Sequence, residues 1–339
     1  MNTNNTRITL AHGEGARATR ELITNRILTR FDNEHLRQLS DATQLDVASD
    51  RIAMTTDSFV VSPMIFPGGD IGSMAVYGTV NDLAVSGAVP RWLSLALIIE
   101  EGLELSILDK ILDSIASAAE RCGVVIVTGD TKVVPRGAAD GIFINTTGIG
   151  ELNSSVIAGP RSIRAGDLLI VSGPIGRHGI AVLSAREELA LEPPPQSDSA
   201  PLHNSVACLR KNVGEAVKAI RDATRGGVSA VLHEWATECN LTMQLDETRI
   251  PITDDVRGAS ELLGLDPLYI ANEGTMVIAV DPAAEAEALA ALRSIPESHN
   301  AVVIGRVTAR KVSPVTIQRM LGVEQPVDEP TGALLPRIC

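Results

Sequence analysis

The stretch SILDKILDSIASAAERC at residues 106–122 has apolar residues at the i, i+3, i+4 and i+7 spacing of an amphipathic helix. Two short apolar runs flank this helix and are predicted to be strands: RWLSLALII at 91–99 and GVVIVTGD at 123–130, which ends at its Gly-Asp pair. The rest of the first half adds predicted helices at 17–30, 32–40 and 72–87, and predicted strands after Asp50 and at 141–150. The first half therefore combines helices and strands.

The second half has the same mixed character. Helices are predicted at 177–190, 203–220, 226–239 and 283–293, and strands at 166–173, 275–280 and 301–307. The proline-rich segment EPPPQSDSAP at 192–201 is predicted to be a loop. Because neither half shows the strict alternation of a doubly wound sheet, we expect an α+β (α/β mixed) fold. We expect two domains, 1–155 and 160–313, followed by a mobile tail, 314–339.

Composition excludes several classes of protein. Of the 339 residues 45% are hydrophobic but only 2% aromatic, so the cores must be built from Ala, Val, Ile and Leu. A net charge of −13 without a basic cluster disfavours binding to nucleic acid or to an anionic membrane. The four cysteines are widely spaced, so a disulfide framework or a structural zinc site is not expected. The N-terminus lacks the pattern of a secretion signal, and we expect a cytoplasmic protein.

Four aspartates of the first half lie at or near the ends of apolar segments: Asp57, Asp70, Asp82 and Asp130. Carboxylates from different strands that converge on one place could bind Mg²⁺ and, through it, phosphate oxygens. The alternative is that these aspartates cap helices and start turns, as most aspartates do. Asp70, which follows Gly-Gly, fits turn chemistry best.

Three glycine-rich turns could present backbone N–H groups to phosphate: HGEG at 12–15, PGGDIG at 67–72 and DATRGG at 222–227. In the third turn Gly226 and Gly227 are predicted to open a helix, whose N-terminus favours anions, and Arg225 could add a charged contact. None of the three is a Walker A motif or a GxGxxG motif. Each could also be an ordinary turn.

Two charged residues are candidate site residues only because of the aspartates and glycine-rich turns described above. Lys132 is predicted to lie beyond the end of the 123–130 strand, and Glu273 in the loop before the 275–280 strand. Lys and Glu in loops are usually solvated surface groups.

The thiol of Cys339 follows the sequence LLPRI, whose apolar residues and proline favour a docked position over a frayed end. Arg337 could offset the nearby α-carboxylate, which otherwise disfavours the thiolate. The other three cysteines, Cys122, Cys208 and Cys239, fall within or at the ends of predicted helices, and we expect them to be small core residues. Cys339 is therefore the candidate reactive thiol.

Seven segments together resemble the hydrogenase maturation carbamoyl dehydratase family, HypE. They run in order from residue 11 to residue 339: AHGEG, TTDSFVVSPMIFPGGDIG, GTVNDLAVSGAVPRWLS, IVTGDTKVV, DATRGGV, DPLYIANEG and PRIC. The TGDTKVV and PRIC segments are specific to this family. The glycine and aspartate loops are shared with the wider aminoimidazole ribonucleotide synthetase-like superfamily, which includes selenophosphate synthetase and thiamine-monophosphate kinase.

The resemblance implies two α/β domains and a homodimer formed through the N-terminal sheets. It implies an ATP-dependent lyase that dehydrates an S-carboxamide on its C-terminal cysteine to a thiocyanate, and so supplies the cyanide ligand of the [NiFe]-hydrogenase iron. The implied partners are the carbamoyltransferase HypF and an iron-carrying HypC–HypD complex.

The resemblance also implies roles for individual residues. Cys339 carries the substrate group, and Lys132 and Glu273 flank it. Mg²⁺ and ATP are held by Asp57, Asp82, Asp130 and Asp222, and ATP also meets the glycine-rich turns through Gly68, Gly69, Arg225, Gly226 and Gly227. One position departs from the family pattern HGxGG, since Ala16 replaces a glycine.

Two other functions fit parts of the sequence. A kinase of the same superfamily that phosphorylates a free small molecule would keep its activity without Cys339. A nucleotide-regulated scaffold that uses the tail as a docking peptide would bind partners without any chemical change at the thiol.

Overall fold

The computed structural model describes residues 6–38, 42–152, 157–189 and 191–331. The chain forms two compact units, and the second includes two short pieces of the N-terminal half. The first unit is Met1–Ile65, Gly69–Leu83 and Ala88–Asn153, and the second is Phe66–Gly68, Ala84–Gly87 and Ser154–Cys339. Among the described residues, no helix is both long enough and apolar enough to cross a membrane.

The first unit is built on a four-stranded sheet. Its helices are α1 (Arg17–Leu22), α2 (Leu28–Phe31), α3 (Glu34–Arg37), α4 (Ile71–Val85) and α5 (Leu105–Cys122). Its strands are β1 (Ile52–Phe59), β2 (Ile65–Phe66), β3 (Gly69–Asp70), β4 (Val89–Glu100), β5 (Val125–Val134) and β6 (Ile142–Glu151). The sheet order is β1-β6-β4-β5, with β4 and β5 parallel and the other pairs antiparallel.

Apolar alternation decides which face of this sheet is covered. Along β4 the residues Leu93, Leu95, Leu97 and Ile99 are buried, whereas the residues between them are more exposed. The predicted helix at 106–122 is observed as α5, and its apolar stripe is buried, including Leu108, Ile111, Leu112 and Ile115. Since α4 also contacts this buried face, through Thr79 against Thr146, the two long helices α4 and α5 cover the same face.

The strand β5 is longer than predicted. The Gly-Asp pair at 129–130 does not end it, because its pairing with β4 continues to Val134, opposite Glu100. Lys132 therefore lies within the strand, opposite Ile98, and not beyond its end. The β-branched residues of TKVV favour this extended backbone over a turn.

The second unit contains a seven-stranded mixed sheet, in the order β13-β12-β9-β11-β7-β10-β8. The strands are β7 (Leu168–Val171), β8 (Val217–Asp222), β9 (Thr242–Asp246), β10 (Met276–Val280), β11 (Val302–Thr308), β12 (Val315–Gln318) and β13 (Glu324–Pro326). The helices are α6 (Arg177–Arg186), α7 (His203–Val213), α8 (Gly227–Cys239), α9 (Asp254–Leu263) and α10 (Glu285–Arg293).

Helices pack on both faces of this second sheet. On one face α8 contributes Leu232 and Trp235 to a core with sheet residues such as Val277 and Leu245. On the other face α7 and α10 pack Leu209 and Leu292 against residues of the opposite parity, such as Ile278. Trp235 is a large aromatic side chain in the α8 cluster, whose other buried members are Ala, Val, Ile, Leu and Met. The predicted mixed fold class in two parts is confirmed.

Two predictions about the second unit were wrong. The helix predicted at 203–220 ends at Val213, because Gly214 adopts a positive φ of 49° and β8 begins three residues later. Residues 315–326, which were assigned to the tail, form β12 and β13 and extend the sheet beyond residue 313. Val315 and Ile317, the alternating apolar residues of β12, are buried. The prolines near them made this strand pattern hard to recognise in the sequence.

Asp70 performs turn chemistry. One carboxylate oxygen accepts hydrogen bonds from the backbone N–H groups of Gly72 (2.7 Å) and Ser73 (3.0 Å), at the start of α4. The other oxygen accepts from the Ser114 hydroxyl at 2.6 Å, which ties α4 to α5. This carboxylate stabilises the fold of the first unit.

We expect Asp70→Ala to lower the free energy of unfolding by about 1–2 kcal/mol, because it removes a helix-capping carboxylate. Urea unfolding of the purified protein measures this. Asp113→Ala is the matched control, since Asp113 is an exposed partner of Arg30 and such surface pairs contribute about 0–1 kcal/mol. Equal unfolding midpoints for the two variants would contradict the capping role.

Candidate active site

A pocket of about 490 Å³ in the first unit brings together several predicted site residues. Its wall includes Gly13 and Gly15 of the HGEG turn and residues 128–132 of β5, among them Asp130 and Lys132. The turn packs directly on the strand, since a Cβ added to Gly13 would lie 2.8 Å from the backbone nitrogen of Val133. The HGEG turn therefore meets Asp130 and Lys132 of TGDTK at the β5 edge of the sheet.

The departure at Ala16 is compatible with this turn. Ala16 has φ −95°, which any L residue adopts, and it immediately precedes α1. Gly15 carries the positive φ of the turn, 73°. The backbone conformation at residue 16 therefore does not require the glycine of the HGxGG pattern.

Asp57 and Asp82 lie on the helix-covered face of the sheet. Asp57 pairs in register with buried Thr146 and is two residues from Thr55, which shares its face. The Thr55 hydroxyl donates a 2.8 Å hydrogen bond to a carboxylate oxygen of Asp82, on α4. These contacts bring two carboxylates into one neighbourhood.

Asp130 does not lie close to Asp57 and Asp82 within one chain. It pairs in register with Ala96, opposite Asn145 and Ser58, so it lies on the face away from the helices. The strands β1 and β5 are also the two edges of the sheet, three strand spacings or about 14 Å apart. The expected convergence of Asp57, Asp82 and Asp130 on one site is therefore not found within the first unit.

The donor set fits Mg²⁺ only in part. Among residues 6–38, 42–152, 157–189 and 191–331, no group of three or more His, Cys, Asp or Glu side chains is arranged to hold a metal ion. Mg²⁺ commonly binds through one or two carboxylates and completes its coordination with substrate phosphates and water. The oxygen donors of Asp57 and Asp82 fit that mode of binding.

In the second unit, the predicted phosphate turn DATRGG has the expected geometry. Asp222 is the last residue of β8 and is buried, and Gly226 directly precedes α8 with φ 73°. Gly227 also has a positive φ, 60°, and a Cβ there would lie 2.6 Å from the carbonyl oxygen of Ile270. The pair opens a helix as predicted, and exposed Arg225 lies at its N-terminus.

The Glu273 loop lies beside this turn. The pairing of β8 with β10 puts Asp222 opposite Met276, so the loop that follows β8 and the loop that precedes β10 emerge together. The backbone of Asn272 donates to the carbonyl oxygen of Ala223 at 3.0 Å. Glu273 is only 3% exposed, in the loop where it was predicted. The structure thus unites Glu273 with the DATRGG turn.

Asn272 is a residue of this loop that the sequence analysis did not single out. It is fully buried, its side-chain oxygen accepts from the Gly176 backbone at 2.7 Å, and its amide donates to the carbonyl oxygens of Ala223 (2.9 Å) and Ile270 (3.1 Å). A buried amide with three such bonds fixes the loop. Its position beside Glu273 in ANEGT was the only available signal.

The two glycines of PGGDIG belong to different units. Gly68, in the second unit, has φ 91° and lies against the backbone of Ser197. Gly69, in the first unit, belongs to the short strand β3 that pairs with β2. Their predicted contact with ATP stays a prediction.

The core position expected for three cysteines is confirmed for Cys122 only, since Cys208 and Cys239 are half-buried. Cys122 is buried at the end of α5, and burial raises the pKa of the Cys239 thiol, so that thiol stays protonated at neutral pH. Cys208 is half-buried on α7. Cys339 lies outside the described residues, and its reactivity stays a prediction.

Both halves of the chain match one protein family. The N-terminal domain of AIR synthase related proteins matches residues 39–152, and the C-terminal domain matches residues 164–318. The carbamoyl dehydratase HypE of Escherichia coli (strain K12) is 47% identical over 337 residues, which are 98% of this chain and 99% of that protein. The HypE of Rhizobium leguminosarum bv. viciae is 45% identical and covers 99% and 96%.

Solved structures of HypE proteins also match this chain. A HypE in complex with ATP is 42% identical, with a TM-score of 0.93 over 97% of this chain and 99% of that one. The structure of a HypE–HypF complex matches at 44% identity, with a TM-score of 0.80 over 91% and 99%. The full-length agreement in sequence and fold means that the chain belongs to the AIR synthase related family and, within it, to the HypE carbamoyl dehydratases.

Proposed function

We propose that the protein is an ATP-dependent carbamoyl dehydratase of [NiFe]-hydrogenase maturation, acting in the cytoplasm. It dehydrates an S-carboxamide on Cys339 to a thiocyanate, whose cyanide becomes a ligand of the hydrogenase iron. The relatives named HypE are called carbamoyl dehydratases, and a HypE relative has been solved with ATP.

The observation that carries this proposal is the path of the last described residues, Val327–Thr331. The carbonyl oxygen of Asp328 accepts hydrogen bonds from the Tyr269 hydroxyl at 3.0 Å and from the Ser229 hydroxyl, on α8, at 3.3 Å. A ring nitrogen of His233, also on α8, lies 3.1 Å from the carbonyl oxygen of Val327. The segment is therefore fastened at the N-terminal half of α8.

This anchor leads the chain directly past the predicted phosphate turn. A Cβ added to Gly226 would lie 3.5 Å from the Pro330 ring. Burial, followed by the charges of Asp266 and Asp328, raises the pKa of the Tyr269 phenol, so its hydroxyl remains a donor at physiological pH. Residues 332–339 span at most roughly 28 Å when extended, which keeps the Cys339 thiol within reach of the DATRGG turn.

The chemistry requires an activated oxygen and a base. The carboxamide oxygen of Cys339 attacks the γ-phosphorus of ATP, ADP leaves, and the oxygen becomes part of a phosphate ester. Loss of the N–H protons then breaks the C–O bond, expels phosphate and leaves S–C≡N. The products are thiocyanate, ADP, phosphate and a proton.

Glu273 is the proposed base for the N–H protons. It is held in a buried loop beside the DATRGG turn, which Pro330 contacts just before residues 332–339, here called the Cys339 arm. Lys132, on the first unit, is the proposed cation for the transferred phosphoryl group or for the reacting tail.

ATP is proposed to bind the glycine-rich turns. The N-terminus of α8, with Gly226, Gly227 and Arg225, suits an anion because its backbone N–H groups and helix dipole favour negative charge. Gly68 and Gly69 of PGGDIG are proposed to contribute backbone contacts. The carboxylates of Asp57, Asp82, Asp130 and Asp222 are the proposed ligands of Mg²⁺, which would offset the charge of the phosphates.

The first unit is proposed to form a homodimer through the exposed face of its sheet. Five large apolar side chains are exposed there: Ile52, Met54, Val89, Ile98 and Val125. A second copy of the sheet would bury them.

HypF is the proposed carbamoyl donor to Cys339, since a HypE relative has been solved in a HypE–HypF complex. An iron-carrying HypC–HypD complex is the proposed acceptor of the cyanide. Delivery requires the Cys339 arm to leave the turn after the reaction, and the anchor at Asp328 then marks the point about which the arm moves.

Turnover should depend on Cys339 and Glu273. In an assay with HypF, carbamoyl phosphate and ATP, Cys339→Ala should abolish thiocyanate formation, because it removes the atom that carries the substrate. Glu273→Gln should slow the dehydration of carbamoylated protein by about 10²–10⁴-fold and leave ATP binding intact. Cys208→Ala and Glu287→Gln are the matched controls, and both should behave as wild type. Phosphorylation of a small molecule by Cys339→Ala would identify a kinase instead.

Mg²⁺ should bind tightly only together with nucleotide. We expect titration calorimetry to show weak binding of Mg²⁺ alone, and tight binding with a non-hydrolysable ATP analogue, because phosphates complete the coordination. Asp82→Asn should weaken binding of the Mg²⁺–nucleotide complex at least about tenfold, since loss of even an outer partner of a metal ligand costs about 10–100-fold. Asp70→Asn is the control. Unchanged affinity in Asp82→Asn would remove Asp82 from the metal site.

The dimer should depend on Met54, which is 68% exposed. Met54→Lys should weaken dimerisation about 10–100-fold, because an apolar side chain of this size contributes about 1.5–3 kcal/mol when buried. Sedimentation equilibrium measures the change. Leu262→Lys, on α9 at 69% exposure, is the control. A dimer of the same strength in both variants would exclude this face.

A further inference from the structure

The proline-rich segment at 192–201, predicted only as a loop, lies against the loop that carries Glu273. We use the name strap for its residues Ser197–Ala200. Asp198 of the strap accepts three hydrogen bonds from three consecutive residues: the backbone N–H groups of Glu273 and Gly274, both at 3.1 Å, and the Thr275 hydroxyl at 2.9 Å. Both carboxylate oxygens of Asp198 are used.

The strap also donates a hydrogen bond to the Glu273 loop. The backbone N–H of Ala200 donates to the carbonyl oxygen of Glu273 at 3.4 Å, so both backbone polar groups of Glu273 bond to the strap. A Cβ added to Gly274 would lie 1.8 Å from the carbonyl oxygen of Asp198. Only glycine at residue 274 allows this approach, since any side chain would push the strap away.

The other end of the strap is anchored in the core of the second unit. The backbone N–H of Ser197 donates to the carbonyl oxygen of Pro67 at 2.9 Å, and its hydroxyl lies 2.9 Å from Nδ1 of fully buried His178. The Phe66 ring packs edge-on against the imidazole, with 5.3 Å between ring centroids. The strap therefore joins the Phe66–Gly68 turn to the Glu273 loop.

We propose that Asp198 is the positioning residue for Glu273. This inference rests on the proposed function, in which Glu273 is the base. A base in a loop must be held within about 0.5 Å of its productive position, and a misplacement of 1 Å can reduce a rate about 10²-fold. Asp198 fixes the segment Glu273–Thr275, and Asn272 fixes the backbone on the N-terminal side of Glu273.

The central test is a double-mutant cycle on dehydration of carbamoylated protein at saturating ATP. Asp198→Ala should lower the rate about 10–100-fold. Asp198→Asn should lose less, because its amide oxygen still accepts one hydrogen bond. In the Glu273→Gln background, Asp198→Ala should cause no further loss, because a residue that acts through Glu273 has nothing left to position.

Three further readouts separate positioning from a loss of fold. Asp198→Ala should keep the KM for ATP and the carbamoylation of Cys339 by HypF, both measured alongside thermal unfolding. The matched control is Asp281→Asn, because Asp281 also accepts from a backbone N–H in the second unit, that of Ala283 at 3.0 Å. The control should dehydrate at the wild-type rate.

Wild-type dehydration by Asp198→Ala, or multiplicative losses in the cycle, would overturn the proposal. So would a parallel loss of ATP affinity, carbamoylation and dehydration. If Glu273→Gln itself dehydrates normally, the positioning role falls while formation of thiocyanate on Cys339 still stands. If Cys339 never gains thiocyanate in the wild type, the proposed function fails.

Discussion

The antiparallel pairing of β8 with β10 is the constraint on which the site in the second unit depends. Because Asp222 lies opposite Met276, the DATRGG turn and the Glu273 loop leave the sheet at one end. The chain beyond β13 returns to that same end, where Asp328 is fastened to Tyr269 and α8. One register thus brings together the N-terminus of α8, the buried residue Glu273 and the segment around Asp328.

Hydrogen bonds from neighbouring loops hold this region in place. Asn272 joins the Glu273 loop to Gly176 and Ala223, and Asp198 joins it to the strap. Loops are normally the mobile part of a fold, and a buried polar network is stable only when its members are paired. A site built in this way can hold the Glu273 loop in one conformation.

Local patterns in the sequence predicted much of this correctly. The apolar spacing of 106–122 gave α5, the Gly226–Gly227 pair gave the start of α8, and ANEGT was rightly expected to be a loop before a strand. Asp70 was rightly assigned to turn chemistry. These features depend on residues close in sequence, where propensity and turn chemistry act directly.

What was missed depends on partners distant in sequence. The strand β5 continues past Gly-Asp because β4 pairs with it, and β12 forms because β9 lies beside it. Asp198 looked like part of an ordinary proline-rich loop, since its three donors are more than 70 residues away. The opposite placement of Asp57 and Asp130 follows from sheet order and pleat, neither of which the spacing of aspartates reveals.

The mass of the peptide that contains Cys339 is the most direct test of the proposed dehydration of a Cys339 carboxamide to a thiocyanate. The protein would be incubated with HypF, carbamoyl phosphate and Mg²⁺–ATP, then digested and analysed by mass spectrometry. We expect a carboxamide on Cys339 that loses one water when ATP is consumed. An unmodified Cys339, while HypF is shown to be active, or a carboxamide that persists while ATP is hydrolysed, would contradict it.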